Sequence, residues 1–179
     1  MMHRTYKIKL LLFLVFLSFI RISAKGQTDC SCCTEAHKQF DFWVGEWIVK
    51  DTLGNIVGEN KITKIEKNCA LLEQWTGAKG GTGTSLNYYD KNHFNWNQVW
   101  VDASGNILRL KGHLIDGKMV LKDELRKSKK KGKKIKWYYN QISWTPNKDG
   151  SVSQLWEVYS KKGKLLKTLF LGIYHKKKK

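Results

Sequence analysis

Phe40-Asp41-Phe42-Trp43-Val44-Gly45-Glu46-Trp47 sets three aromatic residues within four positions and follows them with Gly-x-Trp. Such a stretch suits a short helical turn that plugs one end of a β-barrel, its rings packing across the opening while Gly45 lets the chain swing into the first strand. From Glu46 onward, short segments rich in β-branched and aromatic residues alternate with turn signals, at the spacing an antiparallel meander needs. Strands are expected at residues 46–52, 56–67, 70–77, 84–90, 94–102, 107–114, 119–126, 135–144, 152–160 and 165–175. Turn residues such as Leu53-Gly54-Asn55, Ser104-Gly105-Asn106, Asp116-Gly117 and Lys162-Gly163 separate them. Only residues 34–40 show a helical period. The fold class that follows is all-β: an antiparallel up-and-down barrel of about ten strands with a short N-terminal helical turn, closed so that no sheet edge is left unpaired.

Upstream of this body the chain reads as a leader. His3, Arg4, Lys7 and Lys9 precede an apolar run from Leu10 to Ile20, broken only by Ser18. Eleven residues at helical rise reach roughly 16 Å, short of a hydrocarbon core of about 30 Å, so residues 1–26 are expected to be a secretory signal cut before Gln27. A cut after Ala24 is the close alternative. Residues 27–39 then form a cysteine-containing segment, residues 40–175 the barrel and residues 176–179 a lysine tail. Localisation is expected to be periplasmic or secreted. The leader carries five basic residues and no acidic one, which takes the formal charge from +18 to +13. Much of that excess sits in two blocks, Arg126 to Lys136 and Lys176 to Lys179, so the body is near neutral. Such blocks behave as solvated loops or tails, with weak contact to anionic membrane or cell-surface polymers as the alternative. Nucleic acid is not an expected partner, because no aromatics are interleaved with the lysines to stack bases.

Four cysteines follow the leader: Cys30, Cys32, Cys33 and Cys69. An even number in an exported chain reads first as disulfides. If all are oxidised, Cys69 pairs with one of the first three, and Cys33, closest to the barrel, is the expected partner. A metal site from Cys30, Cys32, Cys33 and His37 competes, although its spacing matches no standard zinc pattern. No metal and no cofactor are expected.

Period 2 assigns the inward face. Phe94, Trp96, Gln98 and Trp100 share one side of their strand, the larger apolar one, and so carry Gln98 inward. Polar residues also stand two before a tryptophan at Glu73 and Trp75, and at Gln154 and Trp156. Burying a polar group without a partner costs roughly 1–3 kcal/mol, so these groups either satisfy one another inside a filled barrel or orient a ligand in a hollow one. The candidate ligand-binding residues are Glu73, Trp75, Asn87, Tyr89, Gln98, Trp100, Gln154 and Trp156. Leu108, Leu110 and Leu114 take the inward face of their strand, which leaves Arg109 and His113 on the surface. The scattered histidines fit no catalytic motif, and no catalytic residue is assigned. His175 as an axial haem ligand is a remote alternative. Gly77 to Gly83 reads as a loop at the barrel mouth.

The Gly45-Glu46-Trp47 start resembles that of the calycin superfamily. The longer pattern is similar to the DUF1579-like, lipocalin-related bacterial proteins. It comprises Phe40 to Trp47, Gly83 to Asp90, Gln98-Val99-Trp100-Val101-Asp102, Ile142-Ser143-Trp144-Thr145-Pro146 and Gln154-Leu155-Trp156-Glu157. The cysteine segment and Cys69 look like part of it. The resemblance implies a calycin-like barrel and no established activity. The expected function is an exported lipocalin-like binding protein for a small, largely apolar ligand. An enzyme using Glu73 as acid or base in the same cavity, and a filled barrel acting through its basic loops at anionic surfaces, are the alternatives.

Overall fold

The computed structural model of the chain describes residues 30–128 and 136–178. The leader expected at residues 1–26 and the centre of the basic run lie outside the described residues. From Ser31 onward the chain forms one unit. A one-turn helix α1 (Glu35–Lys38) and a 3-10 turn (Asp41–Trp43) lead into β1 (Gly45–Lys50). Ten further strands follow: β2 (Ile56–Ile65), β3 (Ala70–Gly77), β4 (Thr82–Asp90), β5 (Asn95–Asp102), β6 (Ile107–Ile115), β7 (Lys118–Lys122), β8 (Arg126–Lys127), β9 (Trp137–Pro146), β10 (Val152–Ser160) and β11 (Leu165–Lys176). Pairing is antiparallel throughout. It runs in chain order except that β7 pairs directly with β9, past the two-residue β8. β11 returns to β1, so ten strands close into an up-and-down, calycin-like barrel. Among the described residues no helix is long and apolar enough to cross a membrane.

The opening stretch does plug one end. Phe40, Trp43 and Trp47 are wholly buried. Phe40 stacks on Trp43 with ring centroids 4.9 Å apart and meets Trp144 and Trp96 edge-on at 5.2 and 5.6 Å. Trp47 donates its indole N–H to the Trp43 carbonyl at 2.9 Å. Gly45 adopts φ +143, a conformation closed to most side chains, where the plug turns into β1. Thr34 caps α1, and Trp96 Nε1 donates to the Ala36 carbonyl and to Gln39 Oε1, both at 3.2 Å, fastening the helix to the barrel.

Two expectations are corrected. The bond to the barrel wall joins Cys32, not Cys33, to Cys69, with Cα atoms 4.9 Å apart. Thr34 begins α1 directly after Cys33, whose sulfur faces the Asn68 amide at 3.7 Å, so it is Cys32 that is left facing Cys69. Cys30 and Cys33 are also disulfide-bonded, and the thiolates that a metal site would need are consumed. The strand expected at residues 119–126 breaks after Lys122. Asp123 turns inward there, accepting from Asn140 N at 2.6 Å, Asn140 Nδ2 at 2.7 Å and Arg126 Nε at 2.7 Å. Its backbone N–H still donates to the Asn140 carbonyl at 3.1 Å, and the regular ladder with β9 lapses beyond it until Arg126 pairs with Tyr138.

Candidate functional site

Above the plug, the barrel interior holds a polar layer and then a cavity. The layer grows from inward positions on neighbouring strands. β2 supplies Asn60, β3 Glu73, β4 Ser85 and Asn87, and β5 Gln98, all buried. Register sets them side by side: Asn87 pairs with Gln98, and Glu73 with Ser85. Gln98 Nε2 donates to Asn87 Oδ1 at 2.8 Å, Asn87 Nδ2 to Ser85 Oγ at 2.8 Å, and Ser85 Oγ to Glu73 Oε2 at 2.5 Å. Asn60 Nδ2 reaches the other carboxyl oxygen at 2.7 Å. Tyr174 of β11 completes the layer, its hydroxyl taking a bond from Asn60 Nδ2 at 3.4 Å and donating to Gln154 Oε1.

The cavity measures about 260 Å³. Its floor is Glu73, Gln98, Gln154 and Tyr174; its walls are Trp75, Trp100, Trp156 and Phe170, with Leu108, Ile142 and Leu169 between them. Trp75 meets Phe170 edge-on at 6.1 Å. Trp156 is fixed by its indole N–H, which donates to Asn140 Oδ1 at 3.0 Å, so the inward Asp123 also orients a cavity wall. Beyond Trp75, Trp100 and Phe170 a wider groove runs out to the loops after β1, β3 and β5. This is the mouth end, opposite the plug, and Gly77 to Gly83 borders it as expected.

Burial governs the electrostatics. Desolvation raises the Glu73 carboxyl from its ordinary value to about 7, against the opposing pull of the bonds from Ser85 and Asn60. The Tyr174 phenol is pushed well above its usual range, first by burial and then by the Glu73 charge. Among the described residues no Lys, Arg or His lines the cavity.

The structure brings six of the eight candidate residues to this one cavity: Glu73, Trp75, Gln98, Trp100, Gln154 and Trp156. Asn87 does not line it, being sealed in the layer beneath. Tyr89 lies lower still, against His37 and Trp96, and lines a separate hollow beside the Cys32–Cys69 bond. The polar groups satisfy one another in part, and the cavity nonetheless remains above them. Arg109 and His113 are on the surface, as the alternation of β6 requires. His175 is exposed, on the face of β11 opposite the buried Tyr174. Sequence reasoning did not name Tyr174, Phe170, Leu169, Ile142 or Leu108 as lining residues, although it set Leu108 inward. Phe170, Gly172 and Tyr174 share a face of β11, a signal that was there to use. Leu169 had none, because it reaches the cavity through a bulge: Trp156 pairs with Phe170 and Glu157 with Thr168, leaving Leu169 without an opposite residue.

Comparison with protein-family models finds no match for this chain, and comparison with curated proteins finds none either.

Proposed function

We propose that this chain is an exported binding protein, akin to the DUF1579-like lipocalin-related group, that holds a small, largely apolar molecule inside its barrel. The observation that carries the reading is the segregation inside the cavity: aromatic walls at the mouth end, hydrogen-bonding groups confined to the floor. That arrangement orients an amphipathic guest, polar end down, and shields its apolar body. Export is supported by the leader pattern of residues 1–26 together with four oxidised cysteines, which suit a compartment outside the reducing cytosol. Native mass spectrometry of the exported protein, before and after denaturation, tests the reading. A small molecule released on denaturing is expected, with occupancy lost in Trp100→Ala. A bare chain mass together with no uptake of an apolar probe would overturn it.

A second reading, an enzyme, is favoured by one observation: Glu73, with its carboxyl raised to about 7, sits in the cavity floor where an acid or base would act. Turnover of the captured molecule that vanishes in Glu73→Gln separates catalysis from holding.

A further inference from the structure

The cavity floor has more acceptors than donors. Donation in the polar layer runs one way, from Gln98 through Asn87 and Ser85 to Glu73, and from Asn60 to Glu73 on the other side. Each donor is thereby committed. Both Asn87 Nδ2 hydrogens are used, on Ser85 Oγ and the Leu71 carbonyl, and both on Gln98 Nε2 point at Asn87 and Ser85. Tyr174 gives its only hydrogen to Gln154. With Glu73 ionised, as it is above about 7, Gln154 Nε2 is the one floor donor left over among the described residues. The acceptors left over are Gln98 Oε1, the remaining lone pairs of Glu73 and, just behind, the buried Asn60 Oδ1.

The charge balance points the same way. Among the described residues Glu73 and Tyr174 are the only titratable groups lining the cavity, and neither β2 nor β4, the strands flanking Glu73, sets a basic side chain against its carboxyl. Below about 7 the Glu73 carboxyl avoids the cost of a buried charge by keeping its proton; above it the carboxylate stands without a counter-ion, and its natural complement is a cation brought in from outside. Three indoles and a phenyl ring around the space add a favourable electrostatic surface for such a charge.

We propose that the cavity takes a small protonated amine with a flat apolar body, its N–H groups meeting Glu73 and Gln98 and its body lying among Trp75, Trp100 and Trp156. The inference rests on the reading of the cavity as a ligand site. The volume, about 260 Å³, suits a small organic molecule. Binding is coupled to a proton. The bound ammonium favours the ionised Glu73, so the carboxyl gives up its proton to solvent as the amine enters. Affinity therefore rises with pH through about 7, where Glu73 ionises in the empty protein, and levels off above it. A carboxylate guest would show the reverse.

Three isosteric probes decide the matter by calorimetry on the full exported protein: 2-phenylethylammonium, 2-phenylethanol and phenylacetate. The ammonium is expected to bind at least tenfold more tightly than either of the others at pH 8. Its affinity is expected to fall about tenfold at pH 6, while the alcohol shows no such change. In Glu73→Gln the preference for ammonium over alcohol collapses to near unity. The pH series on the unaltered protein gives the answer even if that variant folds poorly. Tighter binding of the alcohol or the phenylacetate overturns the amine assignment and leaves the binding reading standing. Binding of none of the three at millimolar concentration also overturns it, and the mass-spectrometric experiment then decides independently whether the cavity holds anything at all.

Discussion

Glu73 concentrates the conflict between stability and use in a single side chain. Its carboxyl is buried at the cavity floor, two neighbours donate to it, and burial still wins, raising it to about 7. The folded protein therefore binds a proton at Glu73 more tightly than the unfolded chain does. Between the unfolded value near 4.5 and about 7, the native state carries the extra proton, so stability falls as pH rises through that window. The loss amounts to roughly 3 kcal/mol by pH 8, since every tenfold difference in proton affinity between the two states is worth about 1.4 kcal/mol. Asp51, Asp90, Asp102 and Asp149 act with the opposite sign, because their lowered carboxyls withdraw stability only as pH drops below about 4. Thermal unfolding followed from pH 5 to 8 is expected to show a declining Tm in the native sequence and a nearly flat one in Glu73→Gln. Equal slopes in the two proteins would mean that Glu73 is not the group that titrates.

Strands position the cavity rings through close approach to glycine. Trp75 of β3 lies against Gly58 of β2, Trp100 of β5 against Gly83 of β4, and Phe170 of β11 against Gly172 of the same strand. A Cβ placed at Gly83 would lie 2.1 Å from the nearest Trp100 ring carbon, far inside contact distance. Gly83→Ala is therefore expected to push that indole into the cavity, abolish ligand uptake and cost about 1–3 kcal/mol as an overpacked site. Urea unfolding with a bound apolar probe measures both effects; uptake unchanged would show that the ring has room to move elsewhere. A second element carries backbone strain. Glu66, Lys67 and Asn68, between β2 and β3, have φ of 48, 52 and 73, three successive left-handed residues without a glycine. Glu66→Gly is expected to stabilise the protein by about 0.5–1 kcal/mol, a gain read from the urea midpoint, since relief of the left-handed conformation outweighs the chain entropy that glycine adds to the unfolded state. Period 2 made most of this architecture legible. It placed Trp96, Gln98 and Trp100 on one face of β5 and Leu108 and Leu110 inward on β6, because alternation is a local property of extended chain, but it failed at the strand ends, where Phe94, in the turn before β5, and Leu114 are exposed. It could not set heights along the barrel axis. Asn87 and Tyr89 share the face of Ser85 but lie progressively nearer the plug, opposite Gln98 and Trp96, and it is the docking of the N-terminal segment on Tyr89 and Trp96 that marks that depth. The break at Asp123 and the bulge at Leu169 were hidden as well, since each answers to a residue on another strand.

At the scale of the molecule the two barrel ends do different work. The mouth end carries the cavity rings, and the other end is sealed by aromatics and tied by the Cys32–Cys69 bond to the start of β3. That bond closes a loop of 37 residues, spanning α1, the plug and the first β-hairpin. Chain-entropy reasoning gives a stabilisation of about 4 kcal/mol for a loop of that length. The bond also borders the left-handed turn of residues 66–68, so it constrains the most strained backbone of the barrel. Closure of the sheet does not depend on it, because β1 pairs with β11 and β2 in a continuous ladder of its own. Replacing both Cys32 and Cys69 by Ser is therefore expected to lower Tm markedly while leaving a folded barrel whose cavity binds as before at temperatures below the new midpoint. The loss should appear first at the plug: exchange of the Trp96 indole N–H, held by Ala36 and Gln39 of the segment the bond secures, speeds up ahead of exchange in the β3–β4 ladder. Simultaneous loss of protection at both places, together with loss of ligand uptake, would show that plug and barrel form one cooperative unit and that the disulfide supports the site as well as the seal.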